Sequence, residues 1–156
     1  MARPKHVETF IEGILPIARK VRAEYGVPVS LCIAQGALES GWNLSNKSAF
    51  GHAIGGDPSK GFVKFKTLED AAMAYGKNLR DNPVYKSAWA FKDDPDKFAD
   101  EIGEAYAPKQ NYAKTVKSII KSFNLKEYDV EIVASDADRS ATELAPRHKC
   151  TLFQWW

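Results

Sequence analysis

SLCIAQGALESG, residues 30–41, is the stretch on which the reading of this chain turns. Leu31, Ile33, Ala34, Ala37 and Leu38 spread apolar groups nearly all the way round a helix, so the segment reads as a buried central helix. Ser30 is placed to cap its start, and Gly41 is placed to stop it. Glu39 then falls in the last turn of a buried helix. A carboxyl group there sits at the negative pole of the helix dipole among apolar neighbours, and both effects hold its proton on.

A general acid working near neutral pH needs that environment. Cleaving a glycosidic bond needs such an acid, because the leaving oxygen departs poorly as an alkoxide. Taken alone, a glutamate before Ser-Gly is an ordinary surface residue. Trp42 beside it and a glycine-rich insertion directly after it change the balance. Together they outline a cleft between a helical lobe and a small β lobe.

Outward from this centre the pattern stays helical. Val7, Phe10, Ile11, Ile14, Ile17, Ala18, Val21 and Tyr25 recur at three- and four-residue spacing, predicting an amphipathic helix over 6–25 that Gly26 ends and Pro28 keeps from continuing. Residues 43–66 carry Gly51, Gly55, Gly56, Gly61 and Pro58, and GFVKFKT alternates, predicting loops with a small strand or hairpin. Thr67 and Asp70 form a capping box for a helix carrying Ala71, Ala72, Ala74, Tyr75 and Leu79. Shorter helices follow around 84–91 and 95–105, with a last one over about 109–123. The expected fold is mostly α: a helical domain with a small β insertion after the central helix.

Bulk properties bound the rest. The chain has 156 residues, 44% of them apolar and 27% charged, which suits one globular domain. Its net charge is +2; residues 126–156 hold four basic and six acidic residues, leaving +4 on 1–125. No basic run with interleaved aromatics appears, so nucleic acid is not an expected partner. We read 1–125 as the domain and 126–156 as a tail: EYDVEIVAS can form a strand, the acidic polar part suits disorder, and CTLFQWW is apolar enough to fold back on the body or meet a partner.

Cys32 reads as a buried thiol, with a Cys32–Cys150 disulfide the alternative outside the cytoplasm. Three scattered histidines indicate no metal site, and no cofactor is implied. Glu8 and Glu12 interrupt the apolar core that a secretory leader needs, and no segment reads as membrane-spanning. The expectation is a protein made in the cytoplasm and delivered by other means.

AQGALESGWNLSNKSAFG (34–51) resembles the AQ-ALESGWG-S signature of the family 73 glycoside hydrolases, bacterial glucosaminidases acting on peptidoglycan. FIEGILPIARKVRAEYGVPVSLCIAQ before it, and FVKFKTLEDAAMAYGKNL and AYAPKQNYAKTVKSII after it, extend the likeness over 8–125 in one order. The resemblance implies a lysozyme-like endo-β-N-acetylglucosaminidase with Glu39 as catalytic acid. It also puts Tyr106 at the position of a tyrosine that assists near the sugar N-acetyl group. Many members carry a second glutamate in the β insertion; here residues 50–66 offer only Asp57, either the base that activates water or the start of an Asp-Pro turn. Without it, the substrate's own acetamido group can assist.

Trp42, Ser45, Gly51, His52, Tyr75 and Tyr112 are the substrate-binding candidates. Trp42 either lines the cleft or wedges into the core, and Tyr75 and Tyr112 also sit at core spacing. Muramidase or lytic transglycosylase action on the same fold, and an idle glycan-binding module, are the rival readings. Two settings suit a chain of this organisation, a phage-type endolysin or a bacteriolytic type VI secretion effector, and the small size with the acidic-then-aromatic tail favours the effector. The latter is a toxin acting in a target bacterium's periplasm, with a cognate immunity protein in its cleft.

Overall fold

The computed structural model describes residues 2–47, 49–51, 53–54, 57–106 and 111–130, the side chain of 106 excepted. Five α-helices carry it: α1 (Lys5–Tyr25), α2 (Val29–Ser40), α3 (Leu68–Asp81), α4 (Pro95–Tyr106) and α5 (Tyr112–Ser122). Two 3-10 segments, Pro58–Lys60 and Pro83–Phe91, join them. No helix among the described residues is long and apolar enough to cross a membrane.

Helix α2 is the centre. Residues 29–37 are all buried, and α1, α4 and α5 pack around it. Its ten buried residues include only two polar side chains before the exit turn, Ser30 and Gln35. Among the described residues Cys32 has no disulfide partner; it is fully buried, and burial pushes its thiol up to about 12. Cys150, and with it the disulfide alternative, lies outside the described residues.

Periodicity placed the helices well. Helix α1 buries Val7, Phe10, Ile11, Ile14, Ala18 and Val21, and Gly26 closes it with φ 83°. The Thr67 hydroxyl accepts from the Asp70 N–H at 3.1 Å, as the capping box required.

The start of α2 differs from expectation. Pro28 occupies the cap position, so the helix begins at Val29 and Ser30 lies inside it. The Ser30 N–H instead donates to the Asp129 Oδ1, 3.0 Å away and 99 residues on. Residues 127–130 form a helical turn where a strand was expected, and Leu125 is fully buried.

The insertion after α2 contributes one antiparallel bridge, Ala53 with Phe62, rather than a hairpin among the described residues. Residues 63–66 alternate in sequence yet form no ladder, and Phe62 and Val63 are exposed. Alternation needs a partner strand to become a sheet.

Candidate active site

Glu39 sits half-buried in the last turn of α2. Two features of the local sequence fix where α2 ends. Gly41 takes the left-handed conformation, φ 65° and ψ 38°, and both its N–H and that of Trp42 turn back to the Ala37 carbonyl. Ser40 Oγ then accepts from the Asn43 N–H at 3.2 Å, tying the exit loop to the helix.

Each carboxylate oxygen of Glu39 has a donor. The Phe50 N–H donates to Oε2 at 2.6 Å, and the Tyr112 hydroxyl donates to Oε1 at 3.0 Å. Tyr112, the first residue of α5, is buried, and its oxygen in turn accepts from Gln35 Nε2 at 2.9 Å. A chain therefore runs Gln35, Tyr112, Glu39, with Gln35 and Glu39 one turn apart on the same face of α2.

Phe50 reaches Glu39 because of a glycine. A Cβ on Gly36 would stand 2.8 Å from Phe50 Cζ, so only the bare backbone lets the ring lie against α2. The Phe50 ring also meets Tyr75 of α3, centroids 4.9 Å apart. Tyr75 thus supports the turn that holds the acid. Gly51, half-buried, follows directly in that turn.

Trp42 and Ser45 lie elsewhere. The Trp42 ring meets Phe10 and Phe123 edge-on, centroids 5.5 and 4.9 Å apart, which is the wedge reading. Trp42 and Ser45 also line an open hollow of about 720 Å³ with Lys5, His6, Thr9, Phe10, Asn43 and Leu44. The structure brings Tyr75, Tyr112 and Gly51 to the Glu39 neighbourhood and puts Trp42 and Ser45 beside the start of α1.

Asp57 is half-buried and begins the Pro58–Lys60 turn. Its Oδ1 accepts from the Ser59 hydroxyl at 2.7 Å and the Ser59 N–H at 3.0 Å, and these bonds lower its proton affinity below the usual aspartate value. That geometry is the Asp-Pro turn. Tyr106 is the last residue of α4, one position beyond the helix expected around 95–105. Gly103 does not break that helix because it makes room for α5: a Cβ there would meet Ala113 Cβ at 2.7 Å. His52 lies outside the described residues. Among those described, no group of three His, Cys, Asp or Glu is placed to hold a metal ion.

Gln35 was not a sequence candidate. Its signal was present in the four-residue spacing from Glu39, but a partner 77 residues away has no local trace.

Comparison with known proteins extends these likenesses. The model of the glucosaminidase family, described as mannosyl-glycoprotein endo-β-N-acetylglucosaminidase, matches residues 15–125. The chain is 30% identical over 142 residues to peptidoglycan hydrolase FlgJ of Vibrio parahaemolyticus, covering 72% of this chain and 46% of that one. It is 24% identical over 159 residues to an N-acetylmuramoyl-L-alanine amidase domain-containing protein of Staphylococcus aureus, covering 81% of this chain and 25% of that one. The chain thus spans less than half the length of these curated relatives. Its fold is similar to the catalytic domain of the autolysin Auto from Listeria monocytogenes, with TM-score 0.66 and 26% identity over 83% of this chain and 90% of that one.

Proposed function

The chain belongs to the glucosaminidase family, and from that premise we propose that it is a peptidoglycan hydrolase of endo-β-N-acetylglucosaminidase type in which Glu39 is the general acid. One observation carries the reading. The single carboxylate at the exit of the buried helix is held through both oxygens, by a backbone N–H from the following turn and by a phenol from α5. A carboxyl group fixed at two points is oriented in advance, which is what proton delivery to a leaving glycosidic oxygen demands. Similarity to FlgJ, named a peptidoglycan hydrolase, and to an autolysin catalytic domain supports bacterial cell-wall glycan as the substrate.

The reaction proceeds by proton transfer from Glu39 to the bridging oxygen after an N-acetylglucosamine unit, with positive charge developing at the sugar carbon. Asp57 is held in its turn by Ser59, which favours the substrate acetamido group over Asp57 as the second participant. Tyr106, at the end of α4, is the residue proposed to steady that acetamido group.

The test is turnover of purified cell walls by the protein and its Glu39→Gln variant, with products analysed by mass spectrometry. General acid catalysis contributes about 10²–10⁴-fold, so the variant should lose activity by that order while keeping its fold. The new reducing ends should be N-acetylglucosamine. Reducing ends of N-acetylmuramic acid, or anhydro products, would replace the proposal with muramidase or lytic transglycosylase action. Full activity in the variant would remove Glu39 from the role.

A further inference from the structure

Gln35 is 1% exposed, on a helix whose other buried residues are almost all apolar. Its Nε2 donates to Tyr112, but its Oε1 is buried with no hydrogen-bond partner among the described residues. An apolar side chain of the same length would fill this volume without desolvating an orphaned oxygen, so packing does not explain the amide. What the amide does have is a fixed contact with the phenol that touches the acid.

We infer that Gln35 is a positioning residue for the reaction, acting through Tyr112 to hold the orientation of Glu39. The inference rests on Glu39 being the general acid. In the arrangement described, Gln35 donates into the Tyr112 oxygen, so the phenol's one proton is directed at Glu39 Oε1. That direction suits an ionised Glu39. It equally suits a protonated Glu39 whose proton sits on Oε2, free to face the leaving oxygen, because Oε1 still accepts from the phenol.

The buried amide donor thereby keeps the phenol proton on Oε1, and Glu39 keeps its orientation before and after it gives up its proton. Leucine or methionine at this position leaves the phenol proton undirected in either state.

The experiment is a double-mutant cycle in kcat and KM on solubilised peptidoglycan glycan strands, using Gln35→Leu, Tyr112→Phe and the pair, with Glu39→Gln alongside. Gln35→Leu should lower kcat about tenfold, the scale of a lost hydrogen bond in a chain ending on a charged group, with KM unchanged. In the Tyr112→Phe background the same substitution should cost less than about twofold, because its only route to the acid has gone. Losses of equal size in both backgrounds, or an effect confined to KM, overturn the inference. Circular dichroism checks the fold, and Gln35→Met, unbranched and of similar length, replaces the leucine variant if that one does not fold. If Glu39→Gln keeps full turnover, the acid assignment fails. If it is inactive and the pair is additive, only the role of Gln35 fails.

Discussion

Phe50 holds a backbone conformation that bulky residues rarely adopt, with φ 68°. Such a residue costs on the order of 1–3 kcal/mol, and burying its ring, 2% exposed between Gly36 and Tyr75, offsets a similar amount. The strain turns the Phe50 N–H onto Glu39, so the site depends on how closely the ring can approach α2. Gly36→Ala tests this. Alanine gains about 1 kcal/mol in helix propensity, but its Cβ would stand 2.7 Å from Ile14 Cδ1 and 2.8 Å from Phe50 Cζ, an overpacking that costs about 1–3 kcal/mol. The expected outcome is a lower melting temperature together with reduced kcat; an unchanged melt with full activity would show that the ring moves freely. The place of Glu39 in the last turn of a buried helix was legible in the sequence because its signal is local: apolar residues before it and Gly41 after it. Tyr112 was a binding candidate, but that it and the Phe50 N–H hold Glu39 was not legible, since Phe50 acts through its backbone and Tyr112 is 73 residues away.

At the scale of elements, the start of α2 is completed from far along the chain. Asp129 accepts from the Ser30 N–H, and burial, opposed by its bond to Ser30, raises its carboxyl above the usual aspartate range. The folded state then retains this proton to higher pH than the unfolded chain. Its stabilising contribution is full below the unfolded value and declines as pH rises through the folded one. Asparagine keeps the acceptor without the charge. Asp129→Asn should melt with the wild type near pH 3 and increasingly above it as pH rises to 7; thermal melts across that range showing the reverse trend would refute the account. Helices α1 and α3 could be bounded from sequence because Gly26 and Thr67 act within one turn. Neither the cap of α2 nor the fate of GFVKFKT could, because both depend on a partner outside the segment.

The whole molecule is closed by ties between its described ends. The Arg3 guanidinium donates to the Phe123 carbonyl at 2.8 and 2.7 Å, to the Tyr128 hydroxyl at 2.9 Å and to Glu127 at 2.6 Å. This clamp meets the carbonyl end of α5, where a cation is favoured by the helix dipole. Length and composition suited one globular domain but could not show that Arg3 would fasten residues 123–128 to it, and no periodic signal marks a contact of that span. Within the closed body, Cys32 is a stopwatch. A thiolate is the species that alkylating reagents attack, and this sulfur is both out of solvent and reluctant to ionise. Iodoacetamide can reach it only when the helices around α2 separate. Capture of Cys32, followed by peptide mapping, should be slower than for a free thiol by about 10³-fold or more, as expected of a stably folded domain, and should quicken with added urea. A rate near that of free cysteine would mean that α2 opens without the rest. Time to capture then reports how long each molecule stays shut.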